Sequence, residues 1–364
     1  MYFKAFTVSL ISASILFSGA ALADQFVYKA TNPSDILAYW TPERMKSAEA
    51  MDLPQIHQHK VTRVPINQLK GTPIAKDAYQ PAIEPVPNTQ QIFEPTNTPA
   101  NTITLLDTGT LNDPFTSAQL TPTSAVTSFP YRTAGKLFFT TPSGNKTCSG
   151  VLIAQRVVLT AGQCVHNGNN ASSGWYSNWM FVPAYNNGTA PYGSWTSTWA
   201  ASTSAWVGGG GTVPNAQNWG MVEMADQSIN NVTTKIGNYV GYLGWQTLSG
   251  IPNHATILGY PTAFDNGQLM HQVTAQSAQA VAPNNVELGS DMNMGAGGGP
   301  WIQNFGAASS GQVGGSNSAR NRIIAVTSYG FNDNTTFGNG ASILDSNFTA
   351  LYDFICAHRS GNCS

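Results

Sequence analysis

The sequence predicts an all-β protein, a barrel or sandwich closed off by a C-terminal helix. Three observations carry this. From about Phe129 onward, short β-rich runs alternate with Gly, Asn and Ser turns. Upstream of them, a long Pro-, Thr- and Asn-rich tract lacks the apolar periodicity that builds a core. At the far end the spacing changes: Phe348, Leu351, Tyr352 and Ile355 recur at helical intervals behind Asp345 or Ser346 as cap.

The chain opens with a different kind of segment. Lys4 ends a short n-region, an apolar run passes through Val8, Leu10, Ile11, Ile15, Leu16 and Phe17, and Ala21-Leu22-Ala23 follows. This is the pattern of a secretory signal with an A-x-A-like cleavage site, and the run is too short to span a membrane comfortably. We therefore read 1–23 as a signal peptide, 24–125 as a largely extended pro-region or linker, and 126–364 as the folded β domain. Within the middle segment, Thr41 is placed to cap a short helix with Pro42 at its first position. The prolines at 73, 81, 85, 87, 95, 99, 114 and 122 argue against regular structure there, leaving a cleft-covering pro-region and a simple tether as equal readings.

Charged residues make up only 9% of the chain, with 16 Lys and Arg against 18 Asp and Glu. A balance so sparse and so near neutral gives no basic footprint for nucleic acid. Solubility must come from Asn, Ser, Thr and Gly, as suits an exported protein that does not stay on a membrane after signal cleavage. Four cysteines permit three pairings. Two local pairs, Cys148 with Cys164 and Cys356 with Cys363, are the economical choice, and their spacings suit neither a zinc site nor a Cys-x-x-Cys redox motif. No metal or cofactor is expected.

The β runs expected as strands are Lys136 to Thr140, Ser149 to Ala154, Arg156 to Leu159, Ala255 to Leu258 and Ile323 to Tyr329. Among them lie three short frames: Thr160-Ala161-Gly162-Gln163-Cys164, Asn218-Trp219-Gly220 and Gly295-Ala296-Gly297-Gly298-Gly299-Pro300. With Phe129-Pro130-Tyr131, Cys148 to Ile153, Phe181 to Tyr185, Gly241 to Trp245, Gly259-Tyr260-Pro261, Ser290-Asp291-Met292 and Ser328-Tyr329-Gly330, they form an ordered series over about two thirds of the chain. That series resembles the trypsin-like, chymotrypsin-fold serine proteases, and within them the secreted bacterial and fungal branch related to glutamyl endopeptidases. Tyr39 to Met45 also looks like pro-region sequence of that branch.

The resemblance implies two six-stranded antiparallel barrels with a cleft between them, a histidine and an aspartate from the first and a serine from the second. Those positions are Gln163, Asn218 and Gly297 here. The family's reaction needs a hydroxyl nucleophile, an imidazole that takes and returns its proton, and a carboxylate that holds the imidazole. None of the three residues supplies its part. The resemblance further places oxyanion-hole amides at Gly295 and Gly297, and a substrate-pairing strand at Ser328, Tyr329 and Gly330. Asp291 stands either as an acidic pocket base for a cationic side chain or as a structural, hydrogen-bonded aspartate.

The remaining chemistry-bearing residues read as bystanders. His166 lies three positions past Gln163, His254 and His271 flank the Gly259 to Pro261 region, and His57 and His59 fall in the pro-region. Asp226 is too far along its strand to replace Asn218, and Ser290 is seven residues from Gly297. An aromatic cluster of Trp175, Tyr176, Trp179, Tyr192, Trp195, Trp199 and Trp206 suggests either a carbohydrate platform or core packing. Asn-x-Ser/Thr sequons at Asn145, Asn187, Asn231, Asn334 and Asn347 matter only in a eukaryotic secretory pathway.

The expected function is thus a secreted, inactive serine-protease homologue that binds a peptide or protein. The alternatives are an endopeptidase in triad-substituted form and a carbohydrate- or surface-binding module built on the Trp-rich loop.

Overall fold

The computed structural model describes residues 26–57, 60–65, 71–94, 114–306, 319–331 and 337–364. The expected signal peptide, His59 and the Asn334 sequon lie outside them, as do Pro95 and Pro99.

Two closed antiparallel barrels of six strands each form the body. In the first, neighbours run in the order Trp195–Thr203, Ser177–Pro183, Ala134–Thr141, Gly144–Leu152, Val157–Thr160 and Gly220–Met224, and the last pairs back onto the first. In the second the order is Pro300–Gln303, His254–Gly259, His271–Ala282, Asn285–Gly289, Gly338–Ile343 and Arg322–Phe331, closed by the pairing of Pro300–Gln303 with Arg322–Phe331. Closure leaves no free sheet edge within either ring, which is how antiparallel sheets of this size avoid edge-to-edge association.

Each barrel fills its interior with its own side chains. Leu137, Val151, Leu159, Trp179, Phe181 and Val222 belong to the core of the first, and Ile257, Val273, Val286, Leu288, Trp301 and Ile343 to that of the second. The Ala134–Thr141 strand is buried at seven of its eight positions. A half-exposed strand would alternate; this one is covered on its outer face as well, for example by Trp40 against Phe138.

The cover comes largely from the N-terminal segment, so of the two readings of 24–125 the simple tether does not hold for the described residues. Phe26–Ala30 pairs with Trp195–Thr203 where the Ser177–Pro183 strand no longer does. Two short helices follow. Pro33–Tyr39 is capped by Asn32, and Pro42–Lys46 by Thr41, whose hydroxyl accepts from the Arg44 N–H, with proline at the first position in both. Phe115–Gln119 and Thr62–Val64 add to His271–Ala282, and Ala75–Lys76 adds to Gly244–Gln246. Phe26, Ile36, Trp40, Met45, Leu53, Ile56, Phe93, Phe115 and Leu120 are all buried. A free tether would leave such side chains in water; burying each one contributes about 2 kcal/mol.

The final helix, Ser346–His358, is capped by the Asp345 carboxylate, which accepts from the Asn347 and Phe348 amides. It buries Phe348, Leu351, Tyr352 and Ile355, and the Phe348 ring meets Trp219 and Trp245 edge-on. Cys148 pairs with Cys164 and Cys356 with Cys363.

Candidate functional site: the cleft between the barrels

Three loops meet where the barrels face each other. The Val157–Thr160 strand runs into a single 3-10 turn, Gly162–Cys164, that presents Gln163. The turn is tied to the neighbouring strand by the Cys148–Cys164 bond. A Cβ on Gly162 would lie 2.6 Å from the Trp206 ring, so the tight approach of this turn requires glycine. Asn218 precedes Gly220–Met224, and its own N–H is held by the Ser342 hydroxyl of the second barrel at 3.1 Å. Gly297 lies in the turn before Pro300–Gln303. Its carbonyl accepts from the Ser149 N–H at 2.9 Å, and the next residue, Gly298, has φ +81°.

The fold therefore brings Gln163, Asn218 and Gly297 together, and what links them is an amide network. Gln163 Nε2 donates to the Ser328 carbonyl at 2.8 Å. That bond fixes the orientation of the side-chain amide, because a carbonyl can only accept. Gln163 Oε1 must then face Asn218, whose Nδ2 donates to it at 2.6 Å and to Ser328 Oγ at 2.5 Å. Both amides are buried, and Asn218 Oδ1 has no hydrogen-bond partner. A Cβ built on Gly297 would sit 3.3 Å from Gln163 Nε2. None of the three side chains carries a proton that titrates near neutrality, and none carries a nucleophile.

The Gly295 amide has a partner that the sequence did not predict: it donates to the Met51 carbonyl at 3.0 Å. Met51 belongs to a stretch that crosses the cleft. Glu49–Ala50 pairs parallel with Lys146 and Thr147 of the first barrel, and Gln55–Ile56 pairs parallel with Gly330 and Phe331 of the second. Between them Leu53 is buried, its methyls facing Gly297 and Gly330. Only the brief alternation of Met51 and Leu53 hinted at a paired strand, too short to separate from the surrounding linker composition.

The expected substrate strand is thus engaged at both ends. Gly330 donates to the Pro54 carbonyl at 2.9 Å, while the Ser328 carbonyl is taken by Gln163. Tyr329 is fully buried, its hydroxyl bonded to Glu287 at 3.2 Å; it packs inward, so its side chain offers nothing to a ligand. Asp291 is half-buried beside Met292, whose carbonyl accepts from Asn339 Nδ2.

His166 accepts from the Gly168 amide on Nδ1, which leaves Nε2 to donate to the Ala171 carbonyl at 2.9 Å; burial lowers its pKa despite that bond. His271 is bonded to Asp265 and stacked on Phe264, His254 is exposed, and Ser290 turns its hydroxyl to the Met292 amide. Asp226 forms a paired ion bridge with Arg156.

The aromatic cluster is mostly core, with Trp175 half-buried at its edge. Trp179, Trp195, Trp199, Trp206, Tyr176 and Tyr192 are buried, and three indole N–H groups donate inward, Trp179 to Cys164, Trp195 to Tyr192 and Trp206 to His166. A sugar platform needs an open ring face; these faces are core. A surface hollow of about 600 Å³ is lined by His254, Thr256, Thr274 and Phe305 among others, and holds none of the three cleft residues. Among the described residues no group of His, Cys, Asp or Glu is arranged to hold a metal, and no helix is long and apolar enough to cross a membrane.

Two closed six-stranded barrels with a C-terminal helix define a chymotrypsin-like fold. Among curated proteins, the chain is similar to a glutamyl endopeptidase of Bacillus licheniformis, 33% identical over 138 residues, 37% of this chain and 38% of that protein. It is also similar to an extracellular metalloprotease of Bacillus subtilis, 29% identical over 143 residues, 38% of this chain and 41% of that protein. The matches thus span about two fifths of these relatives' length.

Among solved structures, the protease Anisep from Arthrobacter nicotinovorans aligns with a TM-score of 0.53 at 25% identity, covering 66% of this chain and all of that one. A Glu endopeptidase bound to MPD aligns at 0.51 and 20% identity, covering 70% of this chain and all of that one. No protein-family model matches the chain.

Proposed function

We propose that this protein is an exported, catalytically silent serine-protease homologue that binds a peptide or protein segment in the cleft between its barrels. The carrying observation is the Gln163–Asn218–Ser328 network beside Gly297. In a working enzyme of this fold the same three loops would present imidazole, carboxylate and hydroxyl. Here an amide without useful basicity faces a neutral amide, and no hydroxyl projects from Gly297. Loss of the serine or the histidine alone costs a comparable protease about a million-fold in turnover, and the losses do not add. Export rests on the A-x-A-like leader and the two disulfides.

A second reading, an endopeptidase seen in triad-substituted form, is favoured by the space at Gly297, where a Cβ would meet Gln163 Nε2 at 3.3 Å and Cys164 Sγ and a Leu53 methyl at an ordinary 3.8 Å. One experiment serves both. The exported chain, and a Leu53→Asp version that loosens the covering segment, are offered fluorogenic peptide and ester substrates and a fluorophosphonate label. Silence in both chains is the expected result; turnover or labelling overturns the proposal. Proteolysis regained on adding Gln163→His, Asn218→Asp and Gly297→Ser supports the second reading, since only the reacting groups would then have been missing.

A further inference from the structure

The segment 49–56 bonds to both barrels as it crosses the cleft. Its Met51 N–H donates to the Thr147 carbonyl of the first barrel at 2.8 Å, and its Met51 carbonyl accepts from Gly295 at 3.0 Å. Its Pro54 carbonyl accepts from Gly330 of the second barrel at 2.9 Å. Two short parallel ladders bracket these bonds, Glu49 and Ala50 on Lys146 and Thr147, Gln55 and Ile56 on Gly330 and Phe331. This is strand addition to two sheets at once, with main-chain bonds supplying adhesion and alternate side chains supplying selection.

The side chains divide cleanly. Leu53 and Ile56 are buried at 3% and 8% exposure, while Asp52 and Gln55 are exposed. Leu53 packs close against Gly330, where a Cβ would lie 3.2 Å from one of its methyls, and its other methyl lies at ordinary contact distance, 3.8 Å, from a Cβ position on Gly297. Ala50 lies equally close, 3.2 Å from the Cβ position of Gly295. The contacts therefore select a small residue, then an aliphatic one three positions on, then another aliphatic three beyond that, with polar residues permitted between. No cation is called for at the Leu53 seat.

We propose that the cleft is a groove for an extended aliphatic peptide, and that Glu49–Ile56 is its resident occupant, holding it closed against outside partners until displaced. The inference rests on the peptide-binding reading above and names both the ligand class and the control. The segment is tethered through the docked helices Pro33–Tyr39 and Pro42–Lys46, so its effective concentration is on the order of millimolar or more. A free peptide making the same contacts competes at a disadvantage of that size.

The test uses the full exported chain and a fluorescent peptide of the sequence 48–57, followed by anisotropy. Leu53→Asp in the protein puts a charge in the apolar seat, and should tighten peptide binding at least tenfold relative to the unaltered chain. Gly330→Val added to that variant fills the seat and should abolish binding, as should an aspartate in place of the peptide's own leucine. Equal binding to the Leu53→Asp and unaltered chains, or binding indifferent to Gly330→Val, overturns the proposal.

Should Leu53→Asp fail to fold, hydrogen exchange on the unaltered chain decides. Millimolar peptide should accelerate exchange at the Met51 amide, and unchanged protection there overturns the inference. Peptide that binds the opened chain and is cleaved would sink catalytic silence while leaving the groove assignment intact. Peptide that fails to bind, with the fluorophosphonate still unreactive, would do the reverse.

Discussion

Asn218 and Gln163 are locked amide to amide across 2.6 Å, and the Ser328 carbonyl at 2.8 Å from Gln163 Nε2 dictates which end of each amide faces the other. Directionality makes the pair testable without any assay of activity. Asn218→Asp removes the donor and sets a buried carboxylate against Gln163 Oε1, so it should cost about 2 kcal/mol in denaturant unfolding. Gln163→His added to it restores a donor. The double variant should recover part of that loss, with a coupling of about 1 kcal/mol or more; strict additivity would mean that the two loops do not meet as described.

Adjacent glycines in the same loop should respond in opposite ways. A Cβ on Gly297 would come no closer than 3.3 Å to anything, the nearest atom being Gln163 Nε2, so Gly297→Ser should change thermal stability by less than about 1 kcal/mol. Gly298, at φ +81°, would put a Cβ 2.0 Å from Thr160 Oγ1 and 2.4 Å from the Ser149 carbonyl. Gly298→Ala should therefore lose several kcal/mol, about 3 or more, or give no folded product. Similar melting temperatures for the two variants would contradict the loop conformation.

Lys136 is buried between the barrels, its ammonium bonded to the Gly267 carbonyl at 2.9 Å and lying 4.8 Å from the Tyr185 ring centre. Burial, opposed by the Asp265 charge, lowers its pKa from 10.5 to about 8. The sign follows from proton counting. Between pH 8 and about 10 the unfolded chain holds this proton more fully than the folded one, so stability rises with pH over that window. Lys136→Met should be more stable than the parent at pH 7, and the difference should shrink toward pH 10. A difference independent of pH would show the lysine to be hydrated.

Asp226 joins the first barrel to the C-terminal helix, bonded to Arg156 at 2.6 and 2.8 Å and to Arg359 at 3.0 Å. Burial alone would raise its pKa, but the Arg156 hydrogen bonds and the neighbouring positive charges hold it below the ordinary value. A depressed carboxyl stabilises the fold above its unfolded pKa and loses that contribution as pH falls through the folded value. Asp226→Asn should cost about 2 kcal/mol at pH 7 and progressively less below about pH 4. Parallel stability curves for parent and variant down to pH 2 would refute the linkage.

Much of the body was legible because its information is local. Short β-rich runs between turn residues marked the strands at Ala134–Thr141, His254–Gly259 and Arg322–Phe331, and Asp345 with Phe348, Leu351, Tyr352 and Ile355 marked the last helix. Thr41-Pro42 announced its own short helix. The Trp-rich stretch was ambiguous for a physical reason: a tryptophan is equally at home in a core or on a binding face, and composition does not say which way its indole N–H points. Trp179, Trp195 and Trp206 all point inward.

By itself, then, the sequence determined the all-β class and the residues standing at Gln163, Asn218 and Gly297, each within its own short frame, and it favoured the two local cysteine pairs that the structure then formed. Tertiary structure alone decided that Asn218 turns its amide to Gln163 and that Lys136 is buried. It also decided that Met51, Leu53 and Gln55 cross the cleft. A short strand such as Glu49–Ile56 carries no periodicity long enough to declare its partners. Those partners, Thr147, Gly295 and Gly330, lie roughly 100 to 280 residues away, where only chain closure and complementary hydrogen bonding can select them.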